Sequence, residues 1–176
     1  MNCVRKKRSF FSELKCDFIS VNKCSVLVFS AVLIFIGIFT RWVCGSPVWL
    51  IHSLGIGKIV PPVYLMVLLS CTAYFLGGTA LASALGGCCF SDMAQRYRGA
   101  MWFCIMSSLG YVWYPIFFCA NLIFVSAIVS LLCLICAVIA TLCFSRVSPL
   151  SLLCMVFYDV WLLSLMLLNM RIFFTV

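Results

Sequence analysis

Long apolar stretches dominate the chain, and short polar segments separate them. A transmembrane helix needs about 20 mostly apolar residues. Five stretches reach that length, at residues 24–44, 62–86, 99–119, 122–144 and 149–174. The pattern therefore predicts an all-α integral membrane protein, a bundle of five transmembrane helices with a longer loop between the first and second.

Composition supports this fold class. Of the 176 residues, 66% are hydrophobic and only 9% are charged, and the mean hydropathy of +1.24 lies far above that of a typical soluble domain. We expect one membrane domain over residues 24–176, preceded by a basic extension at residues 1–23. No room is left for a soluble catalytic module.

Basic residues concentrate in that extension, which holds six Lys or Arg residues against Glu13 and Asp17. Because basic segments stay on the cytoplasmic side, the N-terminus is predicted to be cytoplasmic and the C-terminus to lie on the opposite side. A signal peptide is the alternative, but no small-x-small cleavage site follows Thr40.

The positive charge of the extension suits anionic membrane lipids better than nucleic acid. With no transit signal recognisable, a bacterial inner membrane is the default location.

The connection RWVCGSPVWLIHSLGIGKIVPP, residues 41–62, is partly apolar and rich in Trp, Gly and Pro. This composition suits an interfacial lid better than a spanning helix. Trp49, Pro61 and Pro62 are its candidate residues. The proline pair is expected to start the second helix, where a missing N–H costs little.

Cysteine and histidine provide no catalytic or metal site. Most of the 13 cysteines fall inside predicted spans, where cysteine behaves as a small apolar residue. The pair Cys133 and Cys136 has no second pair or histidine nearby in sequence. His52 is the single histidine, and no matched carboxylate or serine lies near it.

Small residues recur every fourth position in the second predicted helix, at Gly78, Ala82 and Gly86. This spacing lets two helix backbones approach closely. It fits either a homodimer interface or packing inside the bundle.

Polar-tipped aromatics cluster in the third and fifth predicted helices. GYVWYPIFF, residues 110–118, surrounds Pro115 with Tyr111, Trp113 and Tyr114. In the fifth helix, positions 158, 161, 162, 165 and 169 share one face. Trp161 lies about 18 Å beyond Pro149, too deep for a headgroup anchor. An aromatic-lined cavity for a planar ligand explains the pattern, and a tightly packed kinked helix without a ligand is the alternative.

These segments resemble the TspO/translocator protein family. GYVWYPIFF is similar to that family's LNxxWxPxFF signature, and YDVWLLSLMLLN at 158–169 resembles its YLxWxxxxxxxLN pattern. PPVYLMVLLSCTAY at 61–74 resembles PPxWxxxPVWxxLY, with Ser70 in place of the second Trp. The resemblance covers about residues 24–173.

The resemblance implies a receptor or sensor that binds porphyrins such as protoporphyrin IX or haem-like molecules, with no obligatory cofactor. The alternatives are a transporter of such lipophilic ligands and a light-dependent porphyrin-degrading enzyme, which Ser70 disfavours. Cholesterol and benzodiazepine-type drugs also bind some members. The candidate ligand-binding residues are Tyr74, Tyr111, Trp113, Tyr114, Pro115, Phe118, Tyr158, Trp161, Leu165 and Asn169.

Asp159 departs from the family pattern, which is apolar there. On a helical wheel it points about 160° away from Trp161, so we expect it to lie off the pocket face. A local hydrogen bond is the favoured interpretation, and a proton or ion role is the alternative.

Overall fold

The computed structural model describes residues 10–44, 62–86 and 93–175. Within them the chain forms six helices and no strand. Five, α2 to α6, are long and apolar enough to cross a membrane, which confirms the predicted all-α membrane fold. The helices are α1 Phe10–Ser20, α2 Lys23–Cys44, α3 Val63–Gly86, α4 Met93–Phe118, α5 Ile123–Ser145 and α6 Pro149–Thr175.

The spanning helices form a closed ring in the order α2, α3, α6, α5, α4, and the ring closes through a narrower contact of α4 with α2. Two contacts, one at each end of the bundle, show which helix ends lie together. At one end, Ser148 donates a hydrogen bond to Asp17 at 2.7 Å. At the other, the Cys119 thiol lies 3.8 Å from the carbonyl oxygen of Cys44. Successive spans therefore alternate in direction.

Local sequence explains where the helices begin. The side chain of Asn22 accepts a hydrogen bond from the Cys24 N–H at 3.0 Å, which is the N-cap contact expected at the start of α2. Ser148 caps α6 in the same way by accepting from the Ser151 N–H at 3.3 Å. Pro149 then occupies the first position of α6, where proline is favoured.

Two of the small residues of α3, Gly78 and Ala82, pack inside the bundle. A Cβ on Gly78 would lie 2.6 Å from the backbone N and 2.7 Å from the Cα of Ser30, so α2 and α3 approach backbone to backbone. The Ser30 hydroxyl also donates to the Phe75 carbonyl at 3.2 Å. Ala82 is buried, whereas a Cβ on Gly86 would meet nothing within 4 Å among the described residues.

Two features at the ends of the spans differ from the sequence interpretation. The third span was expected from residue 99, but α4 already begins at Met93, so Arg96 and Arg98 are helical. Arg96 is only 7% exposed, which shows that the polar turn packs on the bundle instead of forming a loop. Helix α1 was not predicted as a helix. Its signal is the recurrence of the apolar residues Phe11, Leu14 and Phe18 at i, i+3 and i+7, which is a helical spacing.

Candidate functional site

A cavity of about 150 Å³ lies inside the ring, and all five spanning helices contribute to its wall. Eight of the ten ligand-binding residues expected from the sequence line it. They are Tyr74, Tyr111, Trp113, Tyr114, Phe118, Tyr158, Trp161 and Leu165. The tertiary fold therefore brings together aromatic side chains from α3, α4 and α6, which are far apart in sequence.

Tyrosines from two helices meet at one wall of the cavity. The rings of Tyr74 and Tyr111 are 5.8 Å apart between centroids, within the range of favourable aromatic pairs. The Tyr111 hydroxyl donates to the Leu33 carbonyl of α2 at 2.9 Å, so this side chain ties α4 to α2 across the ring closure. A Cβ on Gly37 would lie 2.6 Å from the Tyr74 ring. Because Gly37 has no side chain, it leaves room for the Tyr74 ring.

A second aromatic group follows Trp113 along α4. Its ring stacks on Phe117 with centroids 5.3 Å apart, and Tyr114 lies 4.5 Å from Phe118. This i, i+4 spacing places each pair one helical turn apart on the same side of α4. The indole and phenol rings are thereby held in fixed positions at the cavity wall.

Three hydrogen-bond donors in the wall have no partner among the described residues. They are the Ser107 hydroxyl, the Trp113 indole N–H and the Tyr114 hydroxyl, all buried and all on residues that line the cavity. A buried donor without a partner is costly, and such groups in a cavity are suited to orienting a ligand. Sequence reasoning missed Ser107, because a serine in an apolar helix carries no signal of its own.

Arg41 supplies a positive charge at the cavity that the sequence does not predict, because hydropathy places this residue in the outer connection. It lies in the last turn of α2 and lines the cavity. Its guanidinium carbon is 5.7 Å from the centroid of the Tyr114 ring, which is a cation–π distance. An anionic group on a ligand would find its counter-charge here.

Asn169 and Pro115 lie away from the lining. Asn169 is 1% exposed and joins α6 to α5: it accepts from Ser126 at 3.3 Å and donates to Ser130 at 3.4 Å. Pro115 sits near the end of α4, where its carbonyl accepts from the Cys119 N–H at 2.9 Å. Neither residue lines the cavity.

The expected lid falls largely outside the described part of the chain. Trp49 and Pro61 are not among the described residues. Pro62 is described and exposed, and its carbonyl accepts hydrogen bonds from Leu65 at 3.0 Å and Met66 at 3.2 Å. It therefore precedes the first turn of α3, as the proline pair predicted.

Asp159 packs on the opposite side of α6 from the cavity, facing α5. Thr141 donates a hydrogen bond to its Oδ2 at 2.7 Å, which confirms the expected local hydrogen bond. Its Oδ1 is buried and has no partner among the described residues. Asp159 therefore belongs to the α5–α6 contact and does not line the cavity.

A second, larger space of about 590 Å³ lies outside the ring, in a groove between α3 and α6. The hydroxyls in its wall are engaged with their own helices: Thr72 donates to Leu68 at 2.9 Å and Ser164 to Val160 at 2.8 Å. Three side chains border both the groove and the central cavity. They are Met66, Trp161 and Leu165.

The fold and the cavity define a class: a multi-pass membrane protein with an aromatic cavity enclosed by five helices. A model of the TspO/MBR family matches residues 25–175, so the chain belongs to the TspO/MBR family. Comparison with curated proteins and with solved structures finds no match. Family membership supports a membrane sensor or transporter type of role. Ser70 lines the cavity, and its hydroxyl donates to the Met66 carbonyl at 2.7 Å.

Proposed function

We propose that this protein is a membrane sensor that binds planar lipophilic ligands of the tetrapyrrole class in the central cavity. The observation that carries the proposal is the combination of aromatic walls with three buried donors, on Ser107, Trp113 and Tyr114, that lack partners among the described residues. Aromatic faces favour a flat conjugated ring. The donors and Arg41 favour a ring that carries acceptors and acidic substituents, as protoporphyrin IX does.

The size of the cavity limits how such a ligand would be placed. A cavity of about 150 Å³ holds a group of roughly benzene size, whereas pockets for drug-sized ligands measure about 300–1,000 Å³. We infer that a porphyrin enters edge-on with part of its macrocycle, or that binding moves α2 outward. Helix α2 is suited to such a movement, because Ser30 is its one buried side chain and its contact with α4 is narrow.

Replacing Trp161 by alanine is expected to weaken porphyrin binding about two- to twelvefold, because an aromatic contact contributes about 0.5–1.5 kcal/mol beyond area burial. The measurement is a titration of purified protein with protoporphyrin IX in the dark, followed by the porphyrin absorption band. Trp42→Ala is the matched control, since Trp42 is 78% exposed and does not line the cavity.

Equal weakening in both tryptophan variants would contradict the assignment of the ligand to this cavity. Absence of saturable binding in folded wild-type protein would contradict the tetrapyrrole class. A smaller benzodiazepine-type ligand, titrated in parallel, would then test whether the cavity accepts planar compounds that match its volume.

A transporter is the second candidate, and the shared wall of the cavity and the groove favours it. Met66, Trp161 and Leu165 separate the cavity from the lipid-facing groove, so movement of these side chains would let a lipophilic ligand reach the cavity from the bilayer. Flux of porphyrin into sealed proteoliposomes tests this role. Saturable binding without protein-dependent flux would favour the sensor.

The basic extension supports an orientation with the N-terminus in the cytoplasm, and we keep the bacterial inner membrane as the proposed location. Labelling of Cys16, which is exposed on α1, by an impermeant thiol reagent in intact and opened cells tests the orientation. All other exposed cysteines are replaced by serine for this measurement.

A further inference from the structure

Helix α1 is attached to the bundle along one face. Leu14 and Val21 pack against the main hydrophobic core, and Asp17 accepts the 2.7 Å hydrogen bond from Ser148. Leu14 and Asp17 lie in α1 and Val21 directly follows its last residue, and the three continue the i, i+3, i+7 spacing of a single helical face. Their contacts hold α1 at the end of the bundle where α5 turns into α6.

A neighbouring face of α1 presents large apolar side chains outward. Phe11 is 78% exposed, Phe18 is 73% exposed and Ile19 is 72% exposed, and Lys15 is exposed among them. By a step of 100° per residue, these four positions cover a sector of about 100° next to the bundle face. In water, so much apolar surface on an 11-residue helix would be unfavourable.

A third face of α1 is small and polar. Ser12, Cys16 and Ser20 are exposed and lie on the side of the wheel away from the bundle face. The helix therefore has a bundle face, an apolar face with a lysine, and a polar face. This division is typical of a helix that lies in the plane of a membrane interface.

Charge identifies the kind of surface that this helix fits. Residues 1–23 carry six basic residues and two acidic ones, and four of the basic residues, at positions 5–8 of the sequence, precede α1. One of the acidic residues, Asp17, already accepts a hydrogen bond from Ser148. Each Lys or Arg near an anionic leaflet contributes about 1 kcal/mol of attraction. A zwitterionic surface would leave this positive excess without counter-charge.

We propose that α1 is an interfacial helix that binds anionic phospholipid headgroups, with Phe11, Phe18 and Ile19 inserted at the headgroup–acyl boundary. The partner is the leaflet at the α1 end of the bundle. This interaction is separate from the central cavity, and neither its success nor its failure depends on the proposed ligand.

Hydrogen exchange of the full chain in lipid nanodiscs tests the proposal. In discs that contain phosphatidylglycerol, we expect the α1 amides to exchange at least about tenfold more slowly than in pure phosphatidylcholine discs. High salt should remove most of the difference, because the Debye length falls to about 3 Å at 1 M. The α5 amides serve as the internal reference and should not respond to lipid charge.

Substitutions test the electrostatic part and the hydrophobic part of the interaction separately. Lys15→Glu should reduce the effect of anionic lipid, and Phe11→Ser with Phe18→Ser should raise α1 exchange in both lipids. Cys16→Ser is the control on the polar face and should behave as wild type. Protection that is equal in both lipids and unchanged in these variants would show that bundle contacts alone hold α1. Protection that depends on the number of chains per disc would assign the face to a second copy.

Discussion

Replacing Gly78 by alanine is expected to destabilise the folded bundle by about 1–3 kcal/mol, the usual cost of overpacking. The new Cβ would lie 2.6 Å from the backbone N of Ser30. Backbone atoms of a neighbouring helix cannot rotate away as a side chain does, so α2 and α3 must separate along part of their contact. The midpoint of thermal unfolding in detergent, followed by circular dichroism, measures the loss.

Gly86→Ala is the matched control for this prediction. It makes the same chemical change at another small residue of α3, but the added Cβ meets nothing within 4 Å among the described residues. Alanine also has the better helix propensity, so the control should be neutral or slightly stabilising. A Gly78→Ala protein as stable as Gly86→Ala would contradict the close approach of α2 and α3.

Filling the cavity from Gly110 is expected to weaken ligand binding at least about tenfold while the fold is kept. Gly110 lines the cavity, and the nearest atom to a Cβ there is the Cys133 sulfur at 3.9 Å. Gly110→Leu adds four carbon atoms beside a space of about 150 Å³, so little room remains for an aromatic ring. The porphyrin titration measures the affinity, and thermal unfolding verifies the fold.

Gly110→Ala separates lost volume from a change of backbone. A contact of 3.9 Å is ordinary van der Waals distance, so alanine should retain most of the affinity and gain up to about 1 kcal/mol of helix stability. Tight binding by a folded Gly110→Leu protein would show that the ligand lies elsewhere, with the lipid-facing groove as the next place to examine.

Much of the fold was predictable because the bilayer imposes a length on apolar segments. Four of the five predicted spans agree with the helices to within a residue at each end. The exception is α4, whose first turn is polar. A turn that contains Arg96 and Arg98 resembles a loop in hydropathy, and its packing on the bundle depends on tertiary contacts.

The candidate site was predictable in part. Large aromatics with polar tips stand out in apolar helices, so Tyr111, Trp113 and Trp161 carried a signal. Ser107 carried none, since serine is common in such helices and becomes significant when its hydroxyl lacks a partner. Asn169 was placed with the site because it shares a helical face with Trp161, but its amide bonds Ser126 and Ser130 of α5.

By itself the sequence determined that this chain crosses a membrane five times, which helices carry the aromatics, and which family it resembles. Those properties depend on the length and order of residues along one segment. Only the tertiary structure decided that Gly78 contacts α2, that Arg41 reaches the cavity, and that an apolar face of α1 remains outside the bundle. Each depends on distances between helices, and hydrophobicity along the chain does not encode which neighbour a given side chain meets.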